Sequence, residues 1–356
     1  MKIHNFNSGP SVLPNKVLYK ASKATIELEG SGMSILEISH RSDLFHNILD
    51  EARNSVRSLL QLEDDFEVLF LHGGASTQFM QIPYNLLEST ETAAYADTGA
   101  WSAKAIKEAN FFGKTAIVCS SKTDQYNHIP QEFSVPAECK YLHITTNNTI
   151  YGTQWQKIPD TNVPLVGDMS SEIFSRQLDF NKFSLIYAGA QKNLGPAGVT
   201  LVLVRKSILG KLSRPIPTIL DYRVHIAQGS LFNTPPVFAI YISMLTLRWL
   251  IEVGGISAIQ KINEQKAAIL YGEIDSNPLF RGTVVKEDRS MMNVCFTITE
   301  PGLEGEFLEY CKKEDIVGIR GHRTTGGFRA SIYNAMPVES VEFLAETMRN
   351  FASRKA

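Results

Sequence analysis

The sequence has 356 residues, 44% of them hydrophobic and 20% charged, with a formal net charge of −2. That length exceeds one minimal core and predicts a large domain with a smaller one beside it. The composition is ordinary for a globular chain and excludes disordered and collagen-like classes, and the near-zero charge offers neither a nucleic-acid surface nor a polybasic membrane patch.

The opening stretch, "MKIHNFNSGPSVLP", lacks the apolar core of a signal peptide, so a cytoplasmic protein is expected. Next, "ISHRSDLFHNILDEARNSVRSLL" places His40 and Arg41 just ahead of a helix capped by Ser42. "EVLFLHGGA" reads as a buried strand entering a glycine turn, and "STQFMQIPYNLL" as a helix capped by Ser76 or Thr77. "TAAYADTG" is a further strand, followed by Trp101 and the helix "WSAKAIKEANFFG". "KTAIVCSS", "CKYLHITTN", "PLVGDMSS" and "SLIYAGAQK" continue the series. Strands spaced by helical crossovers predict a mainly parallel α/β sheet, with ligands at the C-terminal ends of its strands.

After Asn233 the texture changes. "FAIYISMLTLRWLIEV" is interrupted by Arg248 and is short for a bilayer span, so it reads as a buried helix in a long helical region weakened at Gly254 and Gly255. "MMNVCFTIT", helix "EGEFLEYCKKED", strands "IVGIRG" and "GFRASIYN", and a last helix "VESVEFLAETMRNFA" give a smaller α+β domain. The four cysteines show no CxxC spacing, which fits a reduced compartment and argues against a zinc site.

Several of these strand ends carry chemistry-bearing side chains. The turn at Gly73, Gly74 and Ala75 lets backbone approach an anion at a helix N-terminus, although many such turns use glycine for geometry alone. Asp168 ends one strand and Lys192 the next, 24 residues on. If the strands are parallel neighbours, carboxylate and amine emerge on one rim. A lysine amine, an acid for a pyridine nitrogen, a phosphate cradle and a stacking ring such as Trp101 are what a pyridoxal-phosphate (PLP) enzyme needs. Taken singly, Lys192 also reads as a solvated strand end, Asp168 as a cap and Trp101 as core packing. "GIRGHRTTGGFRAS" gathers Arg320, His322, Arg323 and Arg329; arginine forks suit carboxylates and phosphates, and Arg329 lies within a strand pattern.

"FNSGPSVLP", "SHRS", "HGGASTQF", "DTGAWS", "GDMSS", "YAGAQKNLGPAG", "SLFNTPP" and "GHRTTGGFRASIYNAMP" together resemble the phosphoserine aminotransferases over nearly the full length. These are PLP-dependent class-V aminotransferases of fold type I, the aspartate-aminotransferase-like fold. The resemblance implies a large domain with a mainly parallel seven-stranded sheet over residues 16–255, and a small domain from residues 1–15 and 256–356. It implies that Lys192 binds the cofactor covalently and Asp168 partners its ring nitrogen. Trp101 would stack on the ring, and Thr149 would bond its phenolic oxygen. The phosphate would rest on Ala75, Ser76 and Gln191, with Asn233 and Thr234 reaching in from a second subunit of a homodimer with shared active sites. Arg329 would grip the substrate α-carboxylate. His40 and Arg41, with His322 and Arg323 from the partner chain, would take the distal phosphate or carboxylate. No metal is implied. The implied reaction is ping-pong amino transfer from L-glutamate to 3-phosphohydroxypyruvate, giving 2-oxoglutarate and O-phospho-L-serine for serine biosynthesis. Some relatives also act on 4-phosphohydroxy-L-threonine on the route to the cofactor itself.

Three other readings compete. A cysteine desulfurase on the same fold needs a cysteine in a mobile active-site loop, and none of the four sits in an obvious one. A phosphate-binding module without catalysis would not need Lys192, Asp168 and Arg329 together. A nicotinamide enzyme lacks its GxGxxG after the early strands.

Overall fold

The computed structural model describes residues 3–355; residues 1, 2 and 356, which the expected division gives to the small domain, lie outside the described residues. The chain opens with a two-residue strand, β1 (His4–Asn5), and two helices, α1 (Asn15–Ala24) and α2 (Asp43–Leu60). In α2, Phe45, Ile48, Leu49, Ala52 and Val56 recur at helical spacing and form its buried face. The Ser42 side chain caps it, accepting the Phe45 N–H as expected.

Strands and helices alternate at first, as β2 (Phe66–Leu71), α3 (Gly74–Leu86), β3 (Thr92–Asp97), α4 (Ala100–Ala109) and β4 (Lys114–Ser120). β5 (Leu142–Thr145), β6 (Leu165–Asp168), β7 (Leu185–Gly189) and β8 (Thr200–Arg205) then follow with no α-helix between them, contrary to the expected helical crossovers. They form one seven-stranded sheet in the order β2-β8-β7-β6-β5-β3-β4. β3, β4, β5, β6 and β7 pair in parallel, while β8 runs antiparallel to both β7 and β2. The sheet is therefore mainly parallel, with one reversed strand that the helix–strand alternation does not reveal. Apart from the edge strand β4, which has no buried residue, the strands are buried on both faces, as a sheet covered by helices requires. One face packs on α2 and on α6 (Val237–Glu252); α3 and α4 cover the other.

The helix after β2 begins earlier than expected. It starts at Gly74, so Ser76 and Thr77 lie in its first turn and Gly73 is the capping position. Gly73 adopts φ +93°, and a Cβ there would lie 1.9 Å from Thr77 Oγ1, so only glycine makes this turn without displacing Thr77.

Beyond the sheet come α5 (Tyr222–Ala227), α6 (Val237–Glu252) and α7 (Gly255–Ser276). The expected long helical region is two helices, α6 and α7, meeting at 83°. The bend follows from Gly254 at φ +103°, a left-handed conformation that stops α6 and starts α7 in a new direction. No single helix among the described residues is long and apolar enough to cross a membrane.

The remaining elements are β9 (Phe280–Gly282), β10 (Asn293–Ile298), α8 (Glu304–Lys313), β11 (Ile316–Val317), β12 (Phe328–Ser331) and α9 (Val338–Ser353). β12, β10 and β9 form an antiparallel sheet in that order. The "IVGIRG" strand narrows to β11, which pairs in parallel with β1 and ties the N-terminus to this part of the chain. A second hydrophobic core accordingly includes Phe6 with Leu270, Phe296, Phe307 and Phe351. α7 spans both cores, with Ile256 and Ile259 in the first and Leu270 and Ile274 in the second.

Candidate active site

The parallel strands deliver their C-terminal ends to one rim. Asp168 ends β6, Trp101 follows β3, Thr149 follows β5 and Lys192 follows β7. A cavity of about 360 Å³ opens there. Its walls bring together Ala75, Ser76, Trp101, Thr149 and Asp168 with Gln191, Lys192, His322 and Arg329.

Lys192 sits in the turn after β7, where the Ser11 hydroxyl donates to its carbonyl at 2.8 Å. The side chain is only 9% exposed, and Nζ donates to Thr149 Oγ1 at 2.7 Å. Burial lowers the amine to about 8; the Asp168 charge opposes that shift and Arg329 adds to it. Asp168 is 5% exposed, and one of its oxygens accepts the Ser170 N–H at 2.9 Å. Burial pushes its carboxyl upward, against the pull of Ser170, Lys192 and Tyr187.

Arg329 comes from β12 and crosses to the same cavity. One Nη donates to Ser8 Oγ at 2.7 Å and the other to the Thr149 carbonyl at 3.2 Å, while Nε is buried without a partner. Trp101 Nε1 is likewise buried and unpaired, and Lys104 Nζ lies 4.3 Å from the Trp101 ring centroid. The α3 N-terminus has no acidic residue in its first turn and no side-chain cap, its first N–H groups have no intrahelical partner, and residues 73–76 form part of the cavity wall. Buried donors without partners are costly, so these groups fit a bound anion and a flat polar ring. A larger cavity of about 880 Å³, between residues 122–127 and the β9-β10-β12 sheet, shares Ile150 and Arg329 with the first.

The class-V aminotransferase family model matches residues 3–344. The chain belongs to the class-V aminotransferase family. A phosphoserine aminotransferase of Flavobacterium johnsoniae is 55% identical, the alignment covering 99% of this chain and all of that one. Among solved structures, a phosphoserine aminotransferase studied for radiation damage of its Schiff base superposes at TM-score 0.97 with 47% identity, over 99% of this chain and 100% of that one. A PLP-bound phosphoserine aminotransferase from Trichomonas vaginalis superposes at 0.93 with 34% identity, over 98% of this chain and 100% of that one. The fold is therefore fold type I, an α/β architecture.

Within one copy of this class-V aminotransferase, five sequence candidates stay outside the smaller cavity. His40 is half-buried and Arg41 exposed just before α2. Asn233 is half-buried and Thr234 exposed before α6, with the Thr234 carbonyl 2.9 Å from His72 Nε2. Arg323 is exposed on the loop that precedes β12. His322, expected from the partner chain, instead lines the cavity of its own chain, because its loop leads directly into β12 and Arg329; its Nδ1 lies 2.7 Å from Thr324 Oγ1. Burial first, then Arg329, Arg323 and Lys104, lowers its pKa.

The structure adds residues that the sequence did not single out. Ser8 lines the cavity and holds Arg329, a contact made by the β1–β11 pairing, which no local pattern announces. Asn147 and Ser171 also line it, joined by a 2.8 Å bond, and Asn147 reaches Asn293 on β10 at 2.8 Å. Polar residues just after two strand ends were the available signal for this pair.

Proposed function

We propose that this chain is a PLP-dependent phosphoserine transaminase of serine biosynthesis. It moves the amino group of L-glutamate to 3-phosphohydroxypyruvate and yields 2-oxoglutarate and O-phospho-L-serine. The observation that carries the reading is a buried Lys192 amine, lowered to about 8, sharing one cavity with Asp168 and Arg329. The kinship to phosphoserine aminotransferases supports the substrate.

When bound, PLP supplies a ring that takes up the electron pair left when the substrate Cα loses its proton. Lys192 would hold the cofactor covalently and, once displaced, carry that proton on Nζ. A pKa of about 8 leaves a useful neutral fraction near pH 7. Asp168 would pair with the ring nitrogen and keep it positive. Trp101 would cover the ring and Thr149 would bond its phenolic oxygen. Ala75, Ser76 and Gln191, with the α3 N–H groups, would seat the phosphate. Arg329 would orient the substrate by its α-carboxylate.

The distal anion would be taken by His40, Arg41, His322 and Arg323, and Asn233 and Thr234 would complete a neighbouring copy's phosphate site. Both roles require a homodimer with shared active sites. Exposed apolar side chains in and after α1 (Leu18, Tyr19, Ile26, Met33 and Leu36) support such an interface. The division into residues 16–255 and residues 1–15 with 256–356 is supported by the core that joins Phe6 to Leu270, Phe296 and Phe307, while Ile256 and Ile259 of α7 pack in the core of the large domain. The unpaired cysteines suit the cytoplasm.

The test is spectroscopic. Protein incubated with PLP should turn yellow and lose that band when O-phospho-L-serine is added, and Lys192→Ala should do neither. A colourless wild type overturns the cofactor, and a yellow protein indifferent to phosphoserine overturns the substrate. Mixing inactive Lys192→Ala and Asn233→Ala chains should restore part of the activity if sites are shared; a mixture with no activity overturns the shared site.

A further inference from the structure

We propose that Tyr187, backed by His143, is a positioning pair that holds the Asp168 carboxylate charged and aimed into the cavity. The strand register places the three groups together. Asp168 on β6 is the cross-strand partner of Tyr187 on β7 and of Thr145 on β5, and His143 lies two residues before Thr145. Cross-strand partners, and residues two apart along a strand, share a face of the sheet, so all three side chains stand on one side.

The Tyr187 side chain stands beside the Asp168 carboxylate across the β6–β7 pair, and its hydroxyl helps to lower the Asp168 carboxyl. On its other side it lies 2.9 Å from His143 Nε2. Both rings are buried and held by aromatic neighbours. Tyr95 stacks on His143 with centroids 5.1 Å apart, and Phe79 meets the Tyr187 ring edge-on at 6.2 Å.

Proton accounting sets the direction of this chain. Burial pushes Tyr187 well above its ordinary value, so the phenol keeps its single proton. Burial lowers His143 to about 3, so the imidazole is neutral and has one N–H. A carboxylate is a stronger acceptor than a neutral imidazole, so the phenol turns its proton toward Asp168. His143 Nε2–H then donates to the phenol oxygen. The N–H and O–H dipoles point from imidazole to phenol toward the carboxylate and offset the burial that pushes Asp168 toward its neutral form. The other ionisable groups around the pair are Lys192 and Arg329 on the cavity side, Tyr95 on β3, Tyr141 just before β5 and Tyr222 on α5.

The inference rests on the reading of Asp168 as the partner of the PLP ring nitrogen. Its test is a titration of the visible band of PLP-loaded protein between pH 5 and pH 10. Tyr187→Phe keeps the ring and removes the hydroxyl, leaving Asp168 less firmly ionised and the cofactor ring less positive. The covalent linkage at Lys192 should then hold its proton more tightly, and the inflection should rise by roughly half a unit to one unit. His143→Leu should shift it in the same direction, and His143→Gln, which keeps an N–H where Nε2 stands, should restore it. PLP affinity should also fall several-fold in Tyr187→Phe while affinity for inorganic phosphate stays constant. If the His143 variants do not fold, Tyr187→Phe carries the test alone. A yellow wild type whose titration overlays that of Tyr187→Phe overturns this inference only. A wild type that stays colourless removes the functional reading and this inference with it.

Discussion

Thr149→Val removes the hydroxyl that receives Lys192 Nζ at 2.7 Å. In the protein without cofactor, Lys192 is lowered to about 8 from an ordinary value of 10.5. At pH 7 this leaves roughly one amine in ten neutral, against about one in three thousand for an unperturbed lysine. The hydroxyl oxygen steadies the charged ammonium, so its loss must lower the pKa further. A hydrogen bond to a charged group contributes about 1.5–3 kcal/mol, and one pKa unit is about 1.36 kcal/mol. The full bond would be worth one to two units by this arithmetic (about 1.1 to 2.2). Water reaching Nζ from the adjoining cavity recovers part of it, so the expected inflection lies about one unit below the wild type, near pH 7. Trace acetylation across pH 5 to pH 11, quantified at the Lys192 peptide by mass spectrometry, reads the titration directly. An inflection that stays in place, moves upward, or lies above about 9.5 in the wild type would refute the argument.

Three further outcomes follow from particular contacts. Gly73→Ala forces a Cβ to within 1.9 Å of Thr77 Oγ1 at φ +93°, so it should cost about 1–3 kcal/mol of stability and most of the PLP affinity, measured by urea unfolding and fluorescence titration. Lys266, fully buried in α7, donates to the Ile332 and Tyr333 carbonyls at 2.9 and 2.6 Å, and burial lowers it to about 7. Because its folded pKa is depressed, the unfolded chain binds the extra proton between about pH 7 and pH 10.5, so Lys266 makes stability rise with pH across that window. Lys266→Met should flatten that rise and, by orphaning two carbonyls, destabilise the protein by about 2–4 kcal/mol at pH 9 in denaturant titrations. Arg329→Gln should reduce kcat/KM for L-glutamate by about 10²-fold or more, as two charge-assisted bonds to a carboxylate are lost, with little change in PLP binding in a parallel spectral titration.

The strands were legible because a buried parallel strand has to be a near-continuous apolar run, and "SLIYAGAQK" and "PLVGDMSS" are such runs ending in polar residues. The rim candidates Asp168, Trp101 and Lys192 were legible for the same reason: chain order fixes which residue follows a strand, and parallel pairing sends those ends to one edge. Arg329 was legible from its place within a strand pattern, whereas motif resemblance supplied Thr149 and Gln191, which no periodicity marks. The helix start at Gly74 is not legible because capping preference favours Ser76 or Thr77, whereas a left-handed Gly73 takes the capping position three residues ahead of Ser76 without any side-chain cap.

What the sequence alone determined is the order of elements from α2 to β7, the sheet class and the identity of the reactive side chains, since these depend on local pattern and on residue chemistry. The tertiary structure decided the reversal of β8, the 83° turn between α6 and α7, and the β1–β11 pairing that brings Ser8 to Arg329. It also decided the alignment of His143 and Tyr187 behind Asp168. Each depends on which strands become neighbours across tens to hundreds of residues. That choice is made by burial of the whole core, and no single stretch of chain encodes it.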